Sequence, residues 1–380
     1  MSSPAERPRV VAVFGTRPEA IKLAPVVRQL RGDASFDVTT VATAQHRDLL
    51  DQTLAMFDVQ PDVDLDLMRD DQALSAFVAR ALSALSDVFR TMRPDVVLVQ
   101  GDTGTAMAAA LAAFYEGIEV GHVEAGLRSH NRQHPFPEEV NRRIISAVVD
   151  LHFAPTEGAR ANLLAEGVDG DAVTVTGNTI VDALQALDLD GEYDNRELEE
   201  LAPLLGDGAP FVLLTAHRRE NFGAPLRRIC AAVRRIVEEH KAVVVYPVHP
   251  NPNVRTVVDQ ELGGRPGIHL VAPVGYADML RLIDRSDVAL TDSGGIQEEA
   301  PSFDTPVLVL REVTERPEVV TSGAGRLVGT DEDVIVAEVA HLLDDPGHHR
   351  AMASAPNPFG DGHASERIVD VLRARLVAAG

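Results

Sequence analysis

Three carboxylates stand where apolar runs end, which is where α/β proteins mount catalytic groups. "DVVLVQGDTGTA" (95–106) ends one such run at Asp102, and "EVGHVEAGLRSH" (119–130) ends another at Glu124. Glu138 opens the helix-like "EEVNRR" (138–143) just after Pro137. A carboxylate takes a proton and its conjugate acid returns it, so several near one cleft suit proton transfer at an unactivated carbon. Plainer readings stand beside this one. Asp102 is well placed to be a helix N-cap. Glu138 with Arg142, and Glu139 with Arg143, have the spacing of exposed i, i+4 pairs.

A second set of residues suits phosphate. "LLTAHRRENFG" (213–223) loads a strand end with His217, Arg218, Arg219, Glu220 and Asn221, a poor structural choice and a good anion clamp. In "TDSGGIQEEAPS" (291–302), Ser293, Gly294 and Gly295 lie between a strand and a helix. Such a turn exposes backbone N–H groups at the positive end of the helix dipole. Glu299 follows one turn later and suits a ribose, because a carboxylate accepts from two hydroxyls. Arg17 and Lys22 in "FGTRPEAIKLAP" (14–25), with Arg311 and Arg316 in "LREVTERPEVV" (310–320), supply positive charge. The ligand these groups fit is a nucleotide diphosphate sugar, its sugar turned toward the N-terminal carboxylates. His249 in "YPVHPNPNVR" (246–255) reads equally as a ligand contact or a turn residue. There is no G-x-G-x-x-G fingerprint, so no nicotinamide cofactor is expected; despite thirteen histidines, no H-E-x-x-H or comparable spacing appears, so no metal is expected either.

The elements that must carry these groups alternate. "RVVAVFG" (9–15), "DVTTVAT" (37–43), "DVVLVQG" (95–101), "EVGHVEA" (119–125), "LHFAP" (151–155) and "AVTVTG" (172–177) read as strands separated by amphipathic helices. Apolar density falls over 185–208, as in an interdomain linker. A second set follows: "FVLLTA" (211–216), "AVVVYPV" (242–248), "IHLVAP" (268–273), "DVALTD" (287–292) and "PVLVLR" (306–311). Parallel sheets covered by helices on both faces give this pattern. The expected division is 1–184, 185–364 and a terminal helix, 365–380, packing back on the first domain.

Bulk properties exclude several classes. A chain of 380 residues with 45% hydrophobic content is ample for packed cores. No apolar run approaches the length of a membrane span, and "MSSPAERPRV" lacks an apolar leader segment. The formal charge of −23, with no strong basic run, disfavours nucleic acid. One cysteine, Cys230, leaves no internal disulfide. Together these suit a cytoplasmic protein.

In order along the chain, "FGTRPEAIKLAPV", "TAQHRDLLDQ", "GDTGTA", "GHVEAGLR", "PEEVNRR", "TGNTIVDAL", "HRRENFG", "YPVHPNPNVR", "TDSGGIQEEAPS" and "TERPEVV" resemble the non-hydrolysing UDP-N-acetylglucosamine 2-epimerases. The resemblance implies an α/β fold of the GT-B type, two Rossmann-like parallel-sheet domains facing across a cleft, and a homodimer. It implies interconversion of UDP-GlcNAc and UDP-ManNAc for cell-surface polysaccharide synthesis, by elimination of UDP to a 2-acetamidoglucal and re-addition, without metal or cofactor. Carried over position by position, Asp102, Glu124, Glu138 and His217 match catalytic residues. Arg17, Lys22, Arg142, Asn221, Tyr276, Ser293, Gly294, Gly295, Glu299 and Arg316 match substrate contacts. Gln45, His46, Arg69, Arg218 and His249 match a second, activating UDP-GlcNAc site. Three departures stand out: Gly104 where threonine is usual, Ala216 where glycine is common, and a divergent loop "SHNRQHPF" (129–136). The last leaves a 2,3-diacetamido uronic acid nucleotide open as substrate. A glycosyltransferase, a hydrolysing epimerase and a nucleotide-sugar sensor remain as rival readings.

Overall fold

The structure is a computed structural model and describes residues 7–43, 56–57, 59–69, 72–133, 135–205 and 208–377. The chain divides into two compact units, Met1–Leu187 with Phe359–Gly380, and Asp188–Pro358.

In the first unit seven strands form one parallel sheet in the order β3-β2-β1-β4-β5-β6-β7. These are β1 (Arg9–Phe14), β2 (Asp37–Ala42), β3 (Val63–Asp64), β4 (Val96–Gln100), β5 (Glu119–Val123), β6 (Leu151–Ala154) and β7 (Val173–Val175). β4 is buried along its whole length, which explains why its sequence is a continuous apolar run and not an alternating one. Val10 pairs with Val96 and Gln100 with Val123. The helix Arg17–Gly32 starts at a capping box: Thr16 is the N-cap and Glu19 sits at the third helical position. It packs on the terminal helix Ala364–Leu376 and on Thr179–Gln185. The return of the chain to this unit begins at Phe359, which is buried and whose carbonyl accepts the Asn178 amide at 2.7 Å; the boundary expected at 364 therefore falls earlier.

The second unit holds a six-stranded parallel sheet in the order β10-β9-β8-β11-β12-β13. Its strands are β8 (Phe211–Thr215), β9 (Val243–Pro247), β10 (Ile268–Val271), β11 (Val288–Thr291), β12 (Val307–Val309) and β13 (Gly325–Leu327). Thr215 and Thr291 pair in register, and their hydroxyls are 2.6 Å apart, tying the tips of β8 and β11 together.

The segment 185–208 does not behave as a plain linker. It carries the helix Arg196–Leu201 and a 3-10 turn at Ala202–Leu205. Buried Asp278 accepts from the amides of Asp194 and Asn195 at 2.9 Å each, and Leu198 is buried. The low apolar density that suggested a linker is the solvent face of a packed element.

Among the described residues no helix is long and apolar enough to cross a membrane.

Candidate functional site

Each sheet changes direction once. In the first unit β1 and β4 are neighbours, with β2 on one side and β5 on the other; in the second, β8 and β11 play the same part. The loops leaving such neighbouring strands diverge to opposite faces and open a crevice at their carboxyl ends, where open α/β sheets bind ligands. Arg17 and Lys22 follow β1, Asp102 follows β4, His217 follows β8, and Ser293 follows β11. These five residues leave the strands that flank the two crevices, while Glu124 follows the next strand, β5.

In the first unit the carboxylates are held by cations. The Lys22 ammonium contacts Oε2 of Glu124, and Asn178 Nδ2 donates to the same oxygen at 3.2 Å. Glu124 has φ +66°, a left-handed conformation that costs a non-glycine residue about 1 kcal/mol. Asp102 pairs with Arg142 at 2.6 Å, and Asn141 donates to the Asp102 carbonyl at 2.8 Å. Asp102 is not the helix cap: Thr103 is, its hydroxyl accepting from the Ala106 amide at 3.0 Å. That frees the Asp102 carboxylate for its arginine. His122 Nε2 lies 2.7 Å from the Gly101 carbonyl, so that nitrogen carries the hydrogen. Burial pushes His122 down to about 3, and the ring works as a neutral strut beneath Asp102. Gly104 opens the helix after this turn.

Glu138 is the first residue of the helix Glu138–Ser146 and is partly exposed. Its neighbour Glu139 is fully buried, contrary to the exposed pair expected from spacing. Burial alone would raise this carboxyl. The Ser129 amide, Arg142 and Arg143 outweigh it and hold it below the usual range. Glu139 accepts from Ser129 N at 2.9 Å and His130 N at 3.2 Å, so it shapes the divergent loop. Arg128 is committed elsewhere, to Glu166 and Ser146.

One buried acid escaped sequence reasoning. Glu19 accepts from Gly15 N at 3.0 Å, Thr16 N at 2.7 Å and Thr103 Oγ1 at 2.6 Å. It joins the loop carrying Arg17 to the loop carrying Asp102. Burial raises its carboxyl to about 7, against the pull of Thr103, Thr16 and Gly15. The signal in the sequence was the capping box Thr16-Arg17-Pro18-Glu19. A side chain at Gly15 would collide with Thr105 and Thr43, so the close approach of the segments that follow β1, β2 and β4 demands glycine there.

In the second unit the organiser is Asp292, fully buried and also unassigned by sequence. It accepts from His217 N at 2.9 Å, Arg218 N at 2.9 Å and Asn221 Nδ2 at 2.9 Å. The His217 ring stacks on His249, centroids 5.3 Å apart, and its Nδ1 lies 3.5 Å from Asp292. Burial lowers His217 below the ordinary histidine value; Asp292 opposes that, while His249 and Arg218 add to it. Ser293 N donates to Thr291 Oγ1 at 2.9 Å. Arg316 packs against Gly294, where a Cβ would lie 2.7 Å from its guanidinium. Glu298 fixes Arg316 at 2.6 Å. Tyr276 donates to Glu299 at 3.1 Å, and Gly295 is exposed beside it. Arg311 takes a different part from the one its sequence position suggested. It is buried and bound to Glu220 at 2.6 Å and Glu315 at 2.7 Å, and its charge outweighs burial to hold Glu315 at about 2.

Of the residues matched to an activating site, Arg218 and His249 flank His217. Arg69 donates to the carbonyls of Asp66 and Met68 at 2.9 and 2.7 Å. Gln45 and His46 lie outside the described residues.

Comparison with known proteins then decides the family. The family model for UDP-N-acetylglucosamine 2-epimerase matches residues 28–373. The chain belongs to that family. It is 49% identical over 365 residues to the UDP-N-acetylglucosamine 2-epimerase of Bacillus subtilis, covering 96% of this chain and 94% of that one. A Neisseria meningitidis UDP-GlcNAc 2-epimerase solved with UDP-GlcNAc superposes with a TM-score of 0.87 at 42% identity, over 96% of this chain and 100% of that one. An S. aureus structure with UDP gives 0.87 at 45% identity, covering 97% of each chain. The fold is the GT-B type of these UDP-GlcNAc 2-epimerases, and the activity is that of an epimerase.

Proposed function

We propose that this epimerase interconverts UDP-GlcNAc and UDP-ManNAc by eliminating UDP to a 2-acetamidoglucal and adding it back. The observation that carries the reading is the chemistry that each unit presents at its own switch point. One presents cation-held carboxylates, Glu124 on Lys22 and Asp102 on Arg142. The other presents His217 and the Ser293-Gly294 turn, organised by Asp292 with Arg316 alongside. A nucleotide sugar needs both, one for its ring and one for its diphosphate.

The C2 hydrogen of the sugar is not acidic, so departure of the diphosphate must drive the step. The C1–O bond breaks as a carboxylate takes the C2 proton, and a C1–C2 double bond forms. UDP then re-adds at C1 while a carboxylic acid returns a proton to the opposite face of C2. Asp102, Glu124 and Glu138 are the groups for these transfers. Charge building on UDP is the main thing to stabilise, and His217, Arg17 and Arg316 serve that end. Arg142 orients Asp102, Asn221 holds the His217 turn, and Tyr276 fixes Glu299 for the ribose.

A homodimer belongs to the same proposal, supported by exposed Phe114 and Tyr115 at the end of one helix. So does a second UDP-GlcNAc acting as activator near Arg218 and His249, and a place in making cell-surface polysaccharide. Proton NMR of UDP-GlcNAc with the protein in D2O tests the reaction. UDP-ManNAc carrying deuterium at C2 is the expected product. Free ManNAc with UDP, or no exchange at C2, would overturn it.

A further inference from the structure

A cluster of metal-ligating side chains lies away from both crevices. Glu338 and His341 are one turn apart on the helix Glu332–Asp344, and His348 lies on the next helix, Pro346–Ala353. One ligand atom from each lies within 4.8 Å of the others. The two imidazoles are stacked, centroids 3.8 Å apart and planes 3° from parallel. Nε2 of His348 is buried without a hydrogen-bond partner among the described residues. Burying such an atom unsatisfied costs about 1–3 kcal/mol, so the site invites a ligand that is not protein.

We infer that Glu338, His341 and His348 bind one transition-metal cation of the Zn2+ class, stapling the last two helices of the second unit together. Two imidazoles and one carboxylate suit Zn2+, Co2+, Ni2+ or Cu2+. Mg2+ and Ca2+ prefer all-oxygen sites and are poorly served. Metal–ligand bonds of about 2.0–2.2 Å put donor atoms roughly 3.3 Å apart, so the donors, now within 4.8 Å of one another, must close by at most about 1.5 Å. The parallel rings must also turn until their lone pairs converge. His341 is exposed and can make that turn. Glu338 holds Arg326 at 2.7 Å through Oε2, leaving Oε1 to face a cation. The corner is already fixed: one Asp345 oxygen caps the second helix, accepting from Gly347 N at 2.8 Å and His348 N at 3.2 Å. The ligands span two helices with spacing E-x2-H-x6-H, which matches no familiar zinc pattern, so the sequence alone led to no expectation of a metal.

The test uses the full chain without a polyhistidine tag. Zn2+ is titrated in competition with a chromophoric chelator, and melting is followed with and without Zn2+. One Zn2+ per chain and a higher melting temperature are expected. Binding should weaken at least about tenfold in H348Q and in H341Q and stay unchanged in H363Q, a surface histidine of the first unit. Circular dichroism checks that the variants fold; if H348Q does not, the exposed H341Q decides. No saturable binding, or equal binding in wild type and H341Q, overturns the site.

Discussion

The Lys22 ammonium rests on Oε2 of Glu124, 102 residues further along the chain. Both side chains are only 8% exposed. Glu124 also holds a left-handed backbone, φ +66°, so the chain accepts local strain to aim this carboxylate. Strain held at one position by its surroundings is a mark of functional placement.

Removing one partner of that pair should therefore hurt more than removing both. Lys22→Met leaves a buried carboxylate without its cation, at a cost of about 3–5 kcal/mol. The double variant K22M/E124Q should recover about 1 kcal/mol or more of this in urea denaturation. Glu124→Gln alone should keep UDP affinity and lose epimerisation by about 10²–10⁴-fold. Wild-type turnover in E124Q would remove Glu124 from the chemistry.

Glu19 makes stability depend on pH. Its folded value, about 7, lies above the unfolded 4.5. The stabilisation is present below pH 4.5 and is lost as pH rises through 7, up to about 3 kcal/mol in all. Glu19→Gln removes that dependence while keeping the shape. Urea midpoints of wild type and E19Q, compared from pH 5 to 8, should show wild type losing ground to the variant. Parallel curves would mean that Glu19 stays ionised throughout.

His217 is lowered chiefly by burial in the free protein, so its ring is largely neutral at pH 7. An arriving diphosphate brings negative charge and raises the ring's proton affinity. UDP binding should then take up a proton, by as much as about one per site near pH 7. Calorimetry in buffers of different ionisation enthalpy reads this directly, and H217N should abolish the uptake. Equal enthalpies in all buffers for wild type would count against it.

How much of this could be read beforehand depended on distance along the chain. The buried strands announced themselves as apolar runs; β3, two residues long, and β13, whose Gly-Arg-Leu carries one large apolar side chain, have no such run. Segment 185–208 looked like a linker because its cohesion comes from Asp278, 84 residues from Asp194. Asp102 stood next to the true cap, Thr103, and one residue decides whether a carboxylate caps a helix or is left to pair with an arginine across the fold. Glu139 had the spacing of a surface pair, and only the folded loop 129–130 buries it. Asp292 was in plain view in "TDSGG", yet its task depends on His217, 75 residues away. Local chemistry was legible; the through-space partners that give it direction were not.

Gly294 offers the sharpest separation of binding from folding. A Cβ there would lie 2.7 Å from Nη1 of Arg316, whose Nε is fixed by Glu298 at 2.6 Å. The clash is with the far end of a long side chain, so Gly294→Ala can be accommodated by turning the Nη groups aside while Nε keeps its bond to Glu298. Stability should fall by less than about 1 kcal/mol. The displaced arginine no longer faces the Ser293-Gly294 turn, and the loss of one charge-assisted contact is worth about 1.5–3 kcal/mol. UDP affinity should therefore weaken by roughly 10- to 100-fold. Thermal melting and calorimetric titration with UDP measure the two effects separately. A variant that melts normally and binds UDP normally would show that Arg316 does not serve the diphosphate.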